Sequence, residues 1–343
     1  MSSSTTSVFV SGASGYIAQE LVKQLIQRGY KVVGTVRSTA KGDSLKSNLA
    51  AAGLASDNFT YEVVPDIAVK GAFDAALQAH PEVTVFLHTA SPFHFDVQDV
   101  ETELLLPAIE GTTNALSAIK THGPQVKHVV VTSSFAAVGA FFELADPSRA
   151  KSEEDWNPIT YEQAKSNAFN GYVGSKTFAE KAAWEFQRKE KSKFTLSTVN
   201  PVYVFGPQAF EIRDKSQLNT SAEIVNSVLK LGKDDVIEQN MTGYFIDVRD
   251  VARAHIVAFE KREIDGKRLI LADSPFSTQK VLDIVRDDFP KLAEKLPKGD
   301  PAKADEWKTT ESEIKNEKTR ELLGFEFIDL KTSIDDTVAQ IIA

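Results

Sequence analysis

The chain contains no cysteine. Disulfides, zinc–thiolate sites, cysteine-ligated iron–sulfur clusters and thiol nucleophiles are therefore excluded. The absence fits a reducing compartment, and a cytoplasmic location is expected. No run of 18 apolar residues occurs, so no membrane span is expected. The start, Met1 to Ser7, is polar and lacks a basic region followed by a long apolar one. It reads as a short loose tail, not a signal peptide. Asn58, Asn219 and Asn240 each begin a glycan-acceptor triplet, taken as chance in the absence of a secretory signal. Positive charge is in deficit: 39 Lys and Arg against 48 Asp and Glu give a net charge of −9. No run of five basic residues is present, so no nucleic-acid surface is expected. The six histidines show no His-Glu-x-x-His or similar ligand spacing, and no metal site is expected. Internal repeats and low-complexity tracts are also missing.

What is there is ordinary in bulk and specific in pattern. A length of 343 residues suits one large domain or two coupled ones. Over the first two hundred residues, short apolar runs alternate with helical patterns. The runs are Val8–Val10, Val32–Val36, Tyr61–Val64, Val83–Leu87, Val129–Val131 and Leu196–Val199. Between them, Ile17–Arg28 places Leu21, Val22, Leu25 and Ile26 on one helical face, and Glu103–Lys120 is a second candidate. Strands apolar on both sides belong to a sheet covered on both faces. Alternating β and α implies an α/β fold with a parallel, doubly wound sheet. After Pro201 the pattern loosens. Val202–Ser216 and Lys295–Lys308 read as loops. Ala222–Leu231, Val248–Lys261, Val281–Asp288 and Asp329–Ile342 read as helices, with a returning strand at Arg268–Leu271.

The first strand runs straight into Ser11-Gly12-Ala13-Ser14-Gly15-Tyr16-Ile17-Ala18 and then a helix. Gly12 and Gly15 allow backbone to approach a pyrophosphate, which the helix N-terminus favours with free N–H groups and its positive dipole end. Ala18 is the small residue needed where helix lies close to strand. The second strand ends in Arg37, with Lys41 one turn on. An enzyme using NAD usually carries an acid there for the ribose diol. A guanidinium and an ammonium instead suit a 2′-phosphate, so NADPH is the expected cofactor, unless the two are only a solvated surface pair. At the third strand's tip, Asp66 can accept from an adenine amino group and Ile67 can cover the ring. The fourth ends in His88-Thr89-Ala90-Ser91, small enough to leave room for a dinucleotide.

Tyr172 and Lys176 lie four apart in a helical stretch, Tyr172 to Lys189, on one face and one turn apart. An ammonium beside a phenol favours the phenolate and lowers a pKa that is ordinarily about 10. Such a tyrosine can hand a proton to a developing alkoxide. A second pair has the same spacing, Tyr161 and Lys165, in a stretch that reads as loop. Spacing alone does not choose between them.

With these motifs the chain resembles the extended short-chain dehydrogenase/reductase superfamily over most of its length. The markers are Gly12-x-x-Gly15-x-x-Ala18, His88-Thr89-Ala90, Thr132-Ser133-Ser134 and Tyr172-x-x-Ser175-Lys176. The longer words Val199-Asn200-Pro201-Val202-Tyr203-Val204-Phe205-Gly206 and Phe245-Ile246-Asp247-Val248-Arg249-Asp250 look like its dihydroflavonol-reductase-like branch. Phe178 to Phe186 and Thr132 to Val138 look most like the yeast NADPH-dependent methylglyoxal/3-methylbutanal reductases, a group of carbonyl reductases.

The resemblance implies a Rossmann-type sheet and selects Tyr172 over Tyr161. It maps the family's serine onto Ser134, with Ser133 its structural neighbour. The implied catalytic set is Ser134, Tyr172 and Lys176, with Lys176 also binding the nicotinamide ribose. Candidate cofactor contacts are Gly12, Ser14, Gly15, Tyr16, Ile17, Arg37, Lys41, Asp66, Ile67, Thr89, Ala90, Tyr172, Lys176, Pro201, Val202, Val204 and Ser221. Phe93, Phe135 and Tyr203 are candidates for an apolar substrate wall, and Phe95 reads rather as core. Phe135 stands where close relatives often carry Tyr, which bears on substrate preference. Residues 1–200, with a returning segment near 244–273, are expected to bind NADP. Residues 201–243 and 274–343 are expected to form a smaller substrate-binding lobe. The expected activity is NADPH-dependent reduction of a broad range of apolar aldehydes and ketones, with Tyr172 as general acid, by a monomer or homodimer. Its rivals are a sugar-nucleotide epimerase or dehydratase of the same superfamily, a membrane steroid dehydrogenase relative and a non-catalytic NADP-binding regulator.

Overall fold

The computed structural model describes residues 6–91, 97–139, 148–211 and 220–343. In chain order the first half carries β1 (Ser7–Ser11), α1 (Tyr16–Gln27), β2 (Lys31–Val36), α2 (Thr39–Ala51), β3 (Phe59–Val63), α3 (Asp74–Ala79), β4 (Val83–His88), α4 (Leu106–His122) and β5 (His128–Thr132). Then come α5 (Tyr161–Ala164), α6 (Ala168–Glu190), β6 (Thr195–Pro201), β7 (Tyr203–Phe205), α7 (Thr220–Leu229), β8 (Thr242–Asp247), α8 (Val248–Glu260) and β9 (Arg268–Leu271). The chain finishes with β10 (Ser274–Ser277), α9 (Thr278–Asp288), α10 (Pro290–Ala293), α11 (Trp307–Thr310), α12 (Glu317–Leu323) and α13 (Leu330–Ile342).

Seven strands form one parallel sheet in the order β3-β2-β1-β4-β5-β6-β9. This is the doubly wound α/β fold expected from the alternation. Its order reverses between β1 and β4, which opens a crevice at the strands' carboxyl ends. The apolar strands explain the burial on both faces. One core cluster joins Val8, Val10, Val32, Leu21, Leu25 and Val251. The other joins Phe9, Phe86, Leu116, Ile119 and Leu196, with the Phe9 and Phe86 rings stacked at 4.6 Å. Each such fully buried side chain contributes about 1.5–3 kcal/mol of burial free energy.

A second sheet, β10-β8-β7, packs with α7, α9 and α13 around Phe205, Phe245 and Phe276. The stretch from Val202 read as loop thus contains a strand. The returning segment that reaches the large sheet is α8 and β9, because β8 pairs with β7 and β10. The stretch Lys295–Lys308 holds a short helical turn at Pro301–Asp305 and the start of α11.

The chain leaves β6 at Pro201 and enters β7 at Tyr203, so Val202 alone carries it between the sheets. The joint is locked at Asp247, which caps α8 through the Arg249 amide and pairs with the Arg249 guanidinium at 2.8 Å. Arg249 also reaches Asp336 on α13 at 2.6 Å. The Phe245–Asp250 word of the sequence is therefore the passage from the small sheet into α8.

Candidate active site

β1 and β4 are clamped at their tips. The Ser11 hydroxyl accepts the amides of Thr89 and Ala90, each at 3.0 Å, and lies 2.9 Å from His88 Nδ1. With two amides donating to it, the hydroxyl proton points to His88, whose own proton then sits on Nε2. Burial, followed by the charge of Lys176, pushes His88 down to about 4, so the imidazole is neutral. The Thr89 hydroxyl donates back to the Ser11 carbonyl.

Gly12 has a φ of +66°, and a Cβ there would come within 2.9 Å of Ala90 Cα. Only glycine fits that turn. Gly15 closes it by donating to the Gly12 carbonyl at 2.9 Å and begins α1 without a side-chain cap. The first-turn amides of α1 are thus left to a ligand. Ala18 is buried against the strand, as its size requires.

α6 places Tyr172 and Lys176 on the crevice. Its close seating depends on Gly174, where a Cβ would lie 2.3 Å from that of Ala164 on α5. The Tyr172 phenol is hydrogen-bonded to the Ser134 hydroxyl, which also accepts the Ala136 amide at 3.1 Å. Lys176 Nζ donates to Ser91 Oγ at 2.9 Å and lies 5.8 Å from the Tyr172 ring centre. Burial raises the Tyr172 pKa, with the Ser134 bond acting against it. Burial also lowers Lys176 to about 8.

The expectation that Lys176 lowers the tyrosine's pKa is thereby corrected. The ammonium is turned to Ser91, and desolvation dominates the phenol, which keeps its proton. The other pair is set apart: Lys165 binds Glu162 at 3.0 Å, and Tyr161 packs on Phe178 at 5.4 Å. Tyr161 does not lie in loop, since Thr160 starts α5 there with a capping box.

Below the pair, Glu180 continues the same helical face one turn beyond Lys176. It is fully buried and accepts from Ser133 Oγ, from Asn200 Nδ2 at 2.6 Å and from Arg268 Nε at 2.6 Å. Asn200 in turn donates to the Ser134 carbonyl at 3.1 Å. Arg268 stacks on Trp156 at 3.9 Å and donates to the Ala137, Glu153 and Asp155 carbonyls. This network ties the ends of β5 and β6 to α6. Sequence reasoning missed it, because its partners are far apart in the chain and share no motif.

A cavity of about 590 Å³ opens between the two sheets. Gly15, Tyr16, Ile17, Thr89, Tyr172, Lys176, Pro201, Val202 and Val204 all line it, as do Ser134, Phe135 and Tyr203. Burial, followed by the neighbouring Tyr172 phenol and the Glu311 carboxylate, pushes Tyr203 up to about 12. Phe169, Val173, Gly243, Tyr244, Glu311 and Ile314 also line the cavity and were not foreseen.

Gly12, Ser14, Arg37, Lys41, Asp66, Ile67 and Ala90 do not line this cavity. Gly12, Ser14 and Ala90 form the turn beneath it. Arg37 and Lys41 are exposed at the end of β2 and on α2, with no ion pair to another described residue. Asp66 is exposed and accepts the Ala68 amide at 2.9 Å, while Ile67 packs on Gly111 of α4. Ser221 is in α7. Phe93 and Phe95 fall outside the described residues. A larger, open groove of about 930 Å³ lies at the amino end of β9. Glu153, Lys261, Lys267 and Glu321 line it with alternating charge, and no member of the Ser134–Tyr172–Lys176 set reaches it.

A dinucleotide crevice with a Ser–Tyr–Lys set defines a class, and the comparisons agree. The chain belongs to the NAD dependent epimerase/dehydratase family, whose model matches residues 8–271. It is similar to a Candida albicans protein provisionally named NADPH-dependent methylglyoxal reductase GRP2, at 73% identity over 342 residues and the full length of both. It is 48% identical to the NADPH-dependent methylglyoxal reductase GRE2 of Saccharomyces cerevisiae, over 98% of each chain. The crystal structure of Candida albicans Gre2 in complex with NADPH matches with a TM-score of 0.93 at 50% identity, over 98% of both chains.

Proposed function

We propose that the protein reduces aldehydes and ketones to alcohols with NADPH. The observation that carries this reading is the hydrogen-bonded pair of hydroxyls, Ser134 and Tyr172, facing the cavity beside the glycine turn. The turn at Gly12 and Gly15 fits a pyrophosphate, since it brings backbone without side chains and the uncapped N-terminus of α1 to the crevice. Gly12, Gly15, Ile17, Arg37 and Lys176 would hold the cofactor, with Arg37 and Lys41 facing the 2′-phosphate. Bound NADPH supplies the hydride for the carbonyl carbon. Ser134 Oγ holds the carbonyl oxygen, and Tyr172 Oη delivers the proton to it as general acid. Two preplaced donors at one oxygen stabilise developing negative charge more than they stabilise the ground state. Burial keeps the phenol protonated for this task. Glu180 and Arg268 hold the Ser133–Ser134 segment in place.

The names of the similar yeast proteins point to methylglyoxal as one substrate. The apolar wall of Phe135, Tyr203 and Phe169 favours larger apolar ketones, by about 25 cal/mol per Å² removed from water. The division of labour between the large sheet and the smaller lobe, and action as a cytoplasmic monomer or homodimer without nucleic acid or membrane, belong to the same proposal. The test is an NADPH-oxidation assay across methylglyoxal, 3-methylbutanal, aryl ketones and a sugar nucleotide. Stoichiometric alcohol formation from the carbonyl compounds is expected. Conversion of the sugar nucleotide alone, without net NADPH oxidation, would contradict the reading.

A further inference from the structure

Glu311 is a carboxylate in the wall of an otherwise mostly apolar cavity. It is half-buried, and burial raises its pKa. Its Oε1 accepts the Thr242 hydroxyl at 2.8 Å, and Thr310 adds a second hydroxyl. It makes no ion pair with any described residue. A carboxylate offers about four acceptor positions, so two hydroxyls leave some of them open to a ligand. Among the described residues lining the cavity, the other charged group is Lys176. That ammonium is bonded to Ser91 and lies 5.8 Å from the Tyr172 ring centre. Tyr203, whose ring packs on Gly243 next to Thr242, is within electrostatic reach of both Tyr172 and Glu311. A substrate whose carbonyl oxygen meets Ser134 and Tyr172 would therefore extend its other arm along Tyr203 toward Glu311.

We propose that Glu311 determines specificity at the arm of the substrate remote from the carbonyl, rejecting carboxylates and accepting neutral groups or hydrogen-bond donors. A negative charge with no counter-ion among the described residues, in a partly dry cavity, repels a second one and leaves its solvation unreplaced. A hydroxyl or ammonium on the arm would instead fill the open acceptor positions. The inference rests on the carbonyl-reductase reading, and its test separates the two.

The probes are levulinate and its methyl ester, which share one ketone and differ in charge. Reduction of the ester by the unaltered protein checks the reductase reading, independently of Glu311. The ester is expected to be preferred in kcat/KM by at least about a hundredfold, as a repulsion of this range implies. Glu311→Gln should narrow that preference by about tenfold or more, chiefly by raising kcat/KM for levulinate. If the glutamine variant fails to fold, Glu311→Asp and Glu311→Asn carry the same comparison, being equal in length and different in charge. An ester-to-acid preference unchanged on neutralisation would overturn the proposal. Loss of ester reduction in every neutral variant that still binds NADPH would overturn it too, because Glu311 would then serve the chemistry itself.

Discussion

Arg37 shows how far a single residue can be read. Its position at the end of β2 was legible from the strand pattern, and the structure leaves it exposed with no ion pair to a described residue. Replacing it with Asp removes a charge-assisted contact and adds repulsion toward a 2′-phosphate. NADPH binding should weaken by about 2–3 kcal/mol, with a shift toward NADH. Titration of both cofactors by fluorescence measures this, and an unchanged ratio of affinities would make Arg37 a surface charge only. Tyr172 and Lys176 were legible through spacing and resemblance, but their electrostatics were not. Burial, which no spacing reports, governs both groups. Glu311 was invisible for a related reason: it lies just past the Lys295–Lys308 stretch, carries no motif, and only the fold brings it to the cavity.

Among the elements, the strands of the large sheet were legible because they are apolar throughout. β7, β8 and β10 were not. They are short, mix aromatic with polar residues, and β10 contains Pro275, which its edge position tolerates. α2 buries only Gly42, Leu45 and Leu49, too few to give a helical pattern in sequence. The Glu180–Arg268 pair links α6 to β9 in a way that tertiary structure alone can assemble. Glu180→Gln leaves a buried guanidinium without its counter-charge, and should destabilise the protein by about 3–5 kcal/mol. Glu180→Gln combined with Arg268→Met should cost clearly less than the sum of the two single changes. Urea denaturation of the four proteins measures the coupling, and strict additivity would show that the pair acts as two independent residues.

For the molecule as a whole, two buried imidazoles make stability fall in acid. Burial holds His88 and His255 at about 4, below the ordinary value of 6.5. The unfolded chain therefore binds more protons than the native one between these values. The stabilisation is complete above about 6.5 and is lost as pH falls toward 4. Asp250, held up at about 6 by burial, and Asp283 and Glu311, also raised by burial, act in the opposite sense and offset part of this slope. Denaturation midpoints should drop between pH 7 and pH 5, and His255→Gln should flatten that slope. An equal slope in the variant would remove His255 from the account. The central claim remains that Tyr172, and not Tyr161, gives the proton to the substrate oxygen. Steady-state reduction of a neutral ketone at saturating NADPH, in Tyr172→Phe and Tyr161→Phe side by side, tests it most directly. The account predicts a loss in kcat of at least about a thousandfold for Tyr172→Phe with NADPH affinity nearly kept, and little change for Tyr161→Phe. Near-normal turnover in Tyr172→Phe would contradict it.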